Sequence, residues 1–249
     1  MSAPQDYVAW INSHVGFNPR GQGHSDVLTA AIIRDLASAC PEFGAALSSG
    51  AIEWHPNVGL TGRRHNSPVV DEDDADGEIE PNIDGVVLRS SGLLAPSSAA
   101  VMVPLTIENK TIMTAHGKAR TNRYNDARAY ATHVHAESPE TIAAFTIVIN
   151  TALRYRNPDA FARSAKVSGT NRPDDAKNTI DLFRTMRVRD VPSDKVGRCE
   201  AAFILTVDYD GETPTARLVT DHPAPRPGEP FSYDWFIQRL GEQYVRRNG

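Results

Sequence analysis

Cysteine is scarce in this chain of 249 residues. Cys40 and Cys199 are its two cysteines, and they lack the CxxC spacing of a thiolate metal site. This excludes a disulfide framework and indicates a reducing compartment. Long apolar runs are also missing, so no transmembrane helix is predicted. The opening MSAPQDYVAW lacks the basic region and apolar core of a signal peptide, and we expect a cytoplasmic protein.

Basic residues are fewer than acidic ones, with 26 Lys and Arg against 31 Asp and Glu. The net charge of −5 is not typical of a nucleic-acid-binding protein, but its distribution is uneven. Residues 1–100 contain 5 basic and 13 acidic residues, whereas residues 110–198 contain 16 basic and 9 acidic residues. Phosphate contacts need local positive charge, so the second region is a candidate nucleic-acid surface. A solvated charged surface is the alternative.

Composition is otherwise typical of a folded protein, with 40% hydrophobic and 23% charged residues. The length is sufficient for one large domain with a substantial core. An acidic run at residues 71–78 resembles part of a calcium loop, but Ile83 stands where an EF-hand requires a bidentate glutamate. We therefore expect an exposed acidic loop there and no EF-hand.

Hydrophobic periodicity and turn residues predict five helices and five strands. The helices are expected at residues 6–14, 26–40, 114–136, 178–186 and 230–247, and the strands at 51–55, 83–89, 101–108, 143–150 and 201–208. Ser25 is expected to cap the second helix and Pro41 to end it. The strands at 83–89 and 101–108 are expected to form an antiparallel hairpin, with Pro104 at an irregular start of the latter.

One helix contains an unexpected carboxylate. Asp35 falls in the middle of the apolar face of the helix at residues 26–40. Either Asp35 pairs with Arg34 or a backbone group, or it helps to hold a metal ion.

Three polar residues at strand ends form the strongest candidate site. Glu108 ends the strand at 101–108 and Lys110 follows two residues later, so side-chain alternation would place them on the same side. Asp84 lies at the start of the preceding strand, and antiparallel pairing would bring it to the same end of the sheet. Burial of a carboxylate and an ammonium group costs free energy unless a metal ion or an anionic substrate compensates.

The pattern Asp84…Glu108-Asn109-Lys110 resembles the D…(D/E)xK signature of the PD-(D/E)xK nuclease superfamily, which includes many type II restriction endonucleases. The resemblance covers roughly residues 25–155, in the order helix, strand with Asp, strand with ExK, helix, strand. It departs from the pattern at Ile83, where proline is usual, although Pro81 is close. The fold that it implies is α/β with a restriction-endonuclease-like core, in which helices flank a mixed central β-sheet.

The resemblance also implies roles for these residues. Asp84 and Glu108 would bind Mg²⁺, with Asp35 as a further candidate ligand, and Lys110 would orient or deprotonate the attacking water and contact the phosphate. The alternative is that Asp84 caps a turn while Glu108 and Lys110 form a surface ion pair.

A polar helix and a loop supply candidate DNA contacts. The candidate residues are Lys118, Arg120, Asn122, Arg123 and Asn125 on the helix at 114–136, and Arg172 and Lys177 in the loop at 168–177. His116, His133 and His135 lie on the same helix. We expect them at the surface or facing DNA, because no third ligand or cysteine completes a zinc site.

These features together predict a single nuclease domain over residues 1–249. Residues 25–155 would form the catalytic core, and residues 156–249 a DNA-specificity and dimerisation region. The predicted activity is Mg²⁺-dependent endonucleolytic cleavage of double-stranded DNA by a homodimer of the type II restriction kind. The alternatives are a repair or recombination nuclease of the same superfamily, a non-catalytic DNA-binding module, and an accidental D…ExK pattern. The helix at 230–247 would pack on the core or form a dimer contact.

Overall fold

The computed structural model describes residues 1–14, 22–59, 82–89, 103–156, 168–211 and 216–248. The acidic run at 71–78, the expected turn at 90–98 and Pro81 lie outside these residues. The expectations for those segments therefore stay predictions.

A six-stranded mixed sheet forms the centre of the fold. Its strands are β1 (Ile52–Gly59), β2 (Asn82–Arg89), β3 (Leu105–Ile112), β4 (Ile142–Asn150), β7 (Ala201–Asp208) and β8 (Arg217–Leu218), in the order β1-β2-β3-β4-β7-β8. Strands β3, β4 and β7 run parallel, and the other neighbouring pairs run antiparallel. A separate ribbon pairs β5 (Arg154–Arg156) with β6 (Ser168–Thr170). The α/β class and the antiparallel pairing of the two predicted hairpin strands are confirmed.

Helices cover both faces of this sheet. They are α1 (Ala3–Ser13), α2 (Gly23–Ala39), α3 (Pro41–Ser48), α4 (His116–Glu137), α5 (Asp175–Arg184) and α6 (Tyr233–Asn248). Helices α1, α2, α3 and α6 pack on one face through a core that includes Leu36, Phe43 and Phe236. Helices α4 and α5 pack on the other face through a second core that includes Ala127 and Phe183. Each side chain of β3 therefore faces one of two distinct helical layers.

Several element boundaries differ from the predictions, and two of these differences involve proline. Pro41 does not simply end a helix, because it also begins α3, where the missing N–H of proline costs no hydrogen bond. Strand β3 begins after Pro104 and continues to Ile112, so Glu108 and Lys110 lie inside the strand and not at its end. The carbonyl group of Pro104 accepts a 3.0 Å hydrogen bond from the backbone of Ile142.

The final helix belongs to the core of the chain itself. Phe236, Leu240 and Tyr244 on α6 are buried against the sheet and α3. The core-packing alternative is thus the observed one, and this apolar face is not free for a dimer contact. In the parts of the chain that the structure describes, no helix is long and apolar enough to cross a membrane.

Two histidines expected at the surface are buried. His116 contacts the hydroxyl group of Thr179 and the carbonyl group of Asn150, and its side chain is fully enclosed. His135 lies 3.2 Å from Glu200, which also pairs with buried Arg189. The surface expectation was wrong for both residues, whereas His133 is exposed. Their partners come from distant parts of the sequence, so helical periodicity could not reveal them.

Candidate active site

The β2–β3 register brings Asp84 next to Glu108. The last paired residues of the ladder are Gly85 and Ile107, and Asp84 and Glu108 are the next residues on each strand. One carboxylate oxygen of Asp84, Oδ2, accepts a 2.7 Å hydrogen bond from the backbone N–H of Asn109. The other oxygen, Oδ1, accepts a 2.9 Å bond from the side chain of Gln22. Two predicted site residues are therefore neighbours at the centre of the fold.

Glu108 is buried and only partly satisfied. Its Oε1 forms an ion pair with Nζ of Lys110, whereas Oε2 is enclosed and has no hydrogen-bond donor among the described residues. Burial, together with the negative charge of Asp84, raises the pKa of Glu108 to about 7, although Lys110 acts in the opposite direction. The side chain of Lys110 is 28% exposed, against 7% for Glu108. The site therefore opens to solvent on the Lys110 side.

A glycine lets α2 lie close to this part of the sheet. A Cβ atom at Gly85 would lie 2.3 Å from Cγ2 of Thr29, which is too close for any side chain. Helix α2 can therefore reach the strands that carry Asp84 and Glu108.

A set of polar residues on the opposite face of β3 was not predicted from the sequence. The side chain of Asn109 donates to Ser25 Oγ at 2.9 Å and to Thr29 Oγ1 at 2.6 Å, and it accepts from the hydroxyl group of Thr146. Ser25 is a buried residue inside α2 and not its N-cap. Gln22, Ser25 and Thr29 have the i, i+3, i+7 spacing of one helix face, and that polar spacing is the signal that was overlooked.

Asp35 does not join the site. It accepts hydrogen bonds from the backbone N–H of Ala3 at 2.8 Å and from Tyr233 at 2.6 Å, and it pairs with Arg34. Although burial opposes them, the bonds from Tyr233 and Arg34 hold the pKa of Asp35 below its usual value. Asp35 lies 13 residues along α2 from Gln22, which is about 20 Å at the rise of an α-helix. Asp35 is therefore not placed to share a metal ion with Asp84 and Glu108, and the alternative, its pairing with Arg34 and a backbone group, is observed.

The candidate DNA-binding residues of α4 occupy different sides of the helix. Lys118, Asn122 and Asn125 are exposed and lie opposite the buried Ala127 and Ala131, so they point away from the sheet and the carboxylates. Arg120 is half-buried and lies on the sheet side of the helix.

Arg123 is half-buried and lies on another flank of α4. At 100° per residue, Arg123 and Asp126 share the flank of α4 that carries Tyr130, whose hydroxyl group donates to Thr106 on β3. Arg123 forms a 2.8 Å ion pair with Asp126. Because α4 runs back along β3, this flank leads from Thr106 towards Lys110. Arg123 therefore lies on the flank of α4 that faces β3.

The two remaining candidates lie around the start of α5. Arg172 is exposed, and its backbone N–H donates to Asp175. Lys177 is exposed and forms a 2.5 Å ion pair with Asp181. The structure gives neither residue a contact with Asp84, Glu108 or Lys110.

The donor set fits a hard divalent cation. Asp84 and Glu108 are adjacent carboxylates, and within the described parts of the chain the enclosed Oε2 of Glu108 lacks a hydrogen-bond donor. Among the residues that the structure describes, no group of three or more His, Cys, Asp or Glu side chains is assembled. Mg²⁺ suits such a site because it is usually bound by one or two carboxylates together with waters and substrate phosphate.

Comparison with protein-family models, curated proteins and solved structures gave no match to this chain. Fold and site together define an α/β protein with a buried carboxylate pair and a lysine at the centre of a mixed sheet.

Proposed function

We propose that this protein is a Mg²⁺-dependent endonuclease that hydrolyses phosphodiester bonds in double-stranded DNA, as a sequence-specific enzyme of the type II restriction kind. The observation that carries the proposal is the enclosed Oε2 of Glu108, which has no hydrogen-bond donor among the described residues and lies beside a second carboxylate. A buried polar group without a partner costs about 1–3 kcal/mol, and more if it is charged. A surface ion pair would not carry this cost, whereas a metal ligand would recover it when the ion binds.

The order of elements supports a restriction-endonuclease-like core. Helix α2 precedes the antiparallel pair β2 and β3, and α4 connects β3 to the parallel strand β4. This is the order that the resemblance implies for residues 25–155. Asp84 and Glu108-Asn109-Lys110 occupy the two strands on which the signature expects them.

The chemistry follows from the residue types. Asp84 and Glu108 would hold Mg²⁺, which when bound supplies a Lewis acid and a more acidic water. Lys110 places its amino group at the open side of the site, where it can donate to a phosphate oxygen and orient the attacking water. Arg123 can then contact the backbone of the substrate beyond Lys110.

Cleavage assays with purified protein test this proposal. We expect supercoiled plasmid and phage DNA to be cut with Mg²⁺ and to stay intact with EDTA. Lys110→Ala should reduce the rate at least about 100-fold, because it removes transition-state charge stabilisation. Lys195→Ala is the matched control, since Lys195 is exposed in the segment before β7 and the variant loses the same charge.

The products distinguish the competing functions. Discrete fragments favour a restriction enzyme, and a continuous smear favours a general or repair nuclease. Binding of DNA without cleavage by the wild type under Mg²⁺ and Mn²⁺ would favour the non-catalytic module. Intact DNA in every condition, or equal rates for Lys110→Ala and wild type, would overturn the enzymatic proposal.

A further inference from the structure

Asn109, the middle residue of the Glu-x-Lys segment, contacts the candidate site through its backbone and the rest of the fold through its side chain. Its N–H donates to Asp84 Oδ2 at 2.7 Å. Its side chain lies on the other face of β3, and the residue as a whole is 5% exposed. Asn109 therefore contacts Asp84 through its backbone N–H and contacts helix α2 through its side chain.

The side chain of Asn109 is held by hydrogen bonds to two different elements. Its amide group donates to Ser25 and Thr29 on α2, and its carbonyl oxygen accepts from Thr146 on the neighbouring strand β4. A buried amide must give up its hydration, so an apolar residue of similar volume would fill this position with less risk to stability. Core packing alone does not call for an asparagine here. By contrast, the three hydrogen bonds of its side chain fix the position of the backbone at residue 109.

Helix α2 also reaches the carboxylate directly. Gln22, which lies next to the first turn of α2, donates to Asp84 Oδ1 at 2.9 Å. Gln22, Ser25 and Thr29 share one face of the helix, and Gly85 allows that face to approach the sheet. Both hydrogen bonds to Asp84 thus depend on how α2 lies against β3.

We propose that Asn109 is a positioning residue, which couples the first half of α2 to the metal-binding geometry of Asp84 and Glu108. This inference rests on the proposed metal-dependent function. Asn109 does not touch substrate or metal in this role. It holds Asp84 opposite Glu108, so that the two carboxylates are in place before a cation arrives.

The chain offers a matched control in Asn150. This buried asparagine lies at the end of β4 and also makes several hydrogen bonds, to Met113, Ala152 and Tyr209. Asn150 lies five residues along β4 from Phe145, which is the partner of Glu108 in the β3–β4 register. Substitution of Asn109 or Asn150 removes a comparable buried amide, but substitution of Asn109 alone loosens the carboxylate pair.

The test compares Asn109→Leu and Asn150→Leu with wild type by titration with Mn²⁺, monitored by electron paramagnetic resonance of the free ion. Thermal unfolding measured by circular dichroism reports the stability of each variant. Asn109→Leu should weaken Mn²⁺ binding by about 10- to 100-fold, the usual effect of removing an outer-shell partner. Asn150→Leu should bind within about twofold of wild type, even where it loses as much thermal stability.

A milder variant keeps the test decisive if Asn109→Leu does not fold. Thr29→Val preserves the volume beside Gly85 and removes one bond to Asn109, so it should weaken Mn²⁺ binding in the same direction by a smaller factor. In cleavage assays the half-saturating Mg²⁺ concentration should rise, and the rate at saturating Mg²⁺ should change less.

Each outcome has a distinct meaning. Wild-type affinity in a folded Asn109→Leu, or in Thr29→Val if Asn109→Leu is unfolded, overturns this inference and leaves the proposed function standing. Equal weakening by Asn109→Leu and Asn150→Leu also overturns it, since the effect would then follow stability. Absence of Mn²⁺ binding by wild type would overturn the proposed function and this inference together.

Discussion

Glu108 lies beside Asp84 across the β2–β3 pair, and burial together with the charge of Asp84 raises the pKa of Glu108 to about 7. Two buried carboxylates thus lie close enough to repel each other. If they had a purely structural role, we would expect them to lie apart or each to be paired with a positive charge. This arrangement lowers the stability of the folded protein when both carboxylates are ionised. The site can therefore be tested by stability measurements, without knowledge of the substrate.

The first prediction concerns stability and pH. The folded pKa of Glu108 is raised, so the folded state keeps a proton that the unfolded chain releases between pH 4.5 and about 7. The stability that this protonation contributes is fully present below pH 4.5 and is lost as pH rises through 7. Glu108→Gln stays neutral, so its free energy of unfolding should exceed that of the wild type by about 1–3 kcal/mol at pH 8.5.

Urea denaturation at pH 4.5 and pH 8.5 measures this difference. Near pH 4.5 the two proteins should have nearly equal stability. A Glu108→Gln variant that is less stable than wild type at pH 8.5 would show that the ionised carboxylate is satisfied by its surroundings.

The second prediction concerns proton release on metal binding. Because Mg²⁺ and Mn²⁺ bind the ionised carboxylate, binding at pH 6 should displace the proton of Glu108, and binding at pH 8.5 should displace almost none. Calorimetric titration in two buffers with different ionisation enthalpies counts the released protons. In Asp84→Asn the charge that helps raise the pKa is gone, so any residual binding should release fewer protons at pH 6. Equal proton release at both pH values in wild type would contradict the assignment.

The third prediction separates Asp35 from the site. Asp35→Ala removes the bonds to Ala3 and Tyr233, so it should lower the free energy of unfolding by about 1–3 kcal/mol. Its affinity for Mn²⁺ should stay that of the wild type, because Asp35 lies near the far end of α2. Loss of metal binding by a folded Asp35→Ala would mean that the two carboxylate sites are coupled.

The fourth prediction concerns the buried charges around Glu200. Glu200 accepts from Arg189 and Arg247, both almost fully buried, and from the backbone of Ala143. Glu200→Ala would leave two buried arginines without the carboxylate that balances their charge, and we expect a loss of about 3–5 kcal/mol in urea denaturation. Glu137→Ala, at an exposed position of α4, should change stability by less than about 0.5 kcal/mol. A small loss in Glu200→Ala would indicate that water reaches the arginines.

The types of most elements, and the proximity of Asp84 and Glu108, could be predicted from the sequence. Antiparallel pairing and side-chain alternation are regular rules that can be applied without knowledge of the tertiary structure. The sequence was insufficient for the limits of β3. Three polar residues in a row indicated the end of a strand, yet Asn109 is satisfied by Ser25, Thr29 and Thr146. The strand therefore continues, and that network depends on partners that only the folded chain brings together.

The same reason explains other differences. The buried positions of His116 and His135 depend on Thr179 and Glu200, each more than 60 residues away. Asp35 was correctly identified as unusual on its helix face, but its partners Ala3 and Tyr233 come from α1 and α6. Periodicity identifies an unexpected carboxylate, whereas only tertiary structure shows what satisfies it.

The central claim is that Asp84 and Glu108 bind one divalent cation between them. Crystals of the protein soaked in Mn²⁺ test it most directly, through the anomalous difference map. We expect one peak within about 2.2 Å of oxygens of both Asp84 and Glu108, with Nζ of Lys110 moved away from Glu108. Absence of a peak there at saturating Mn²⁺, or a peak at another group of carboxylates alone, would contradict the account.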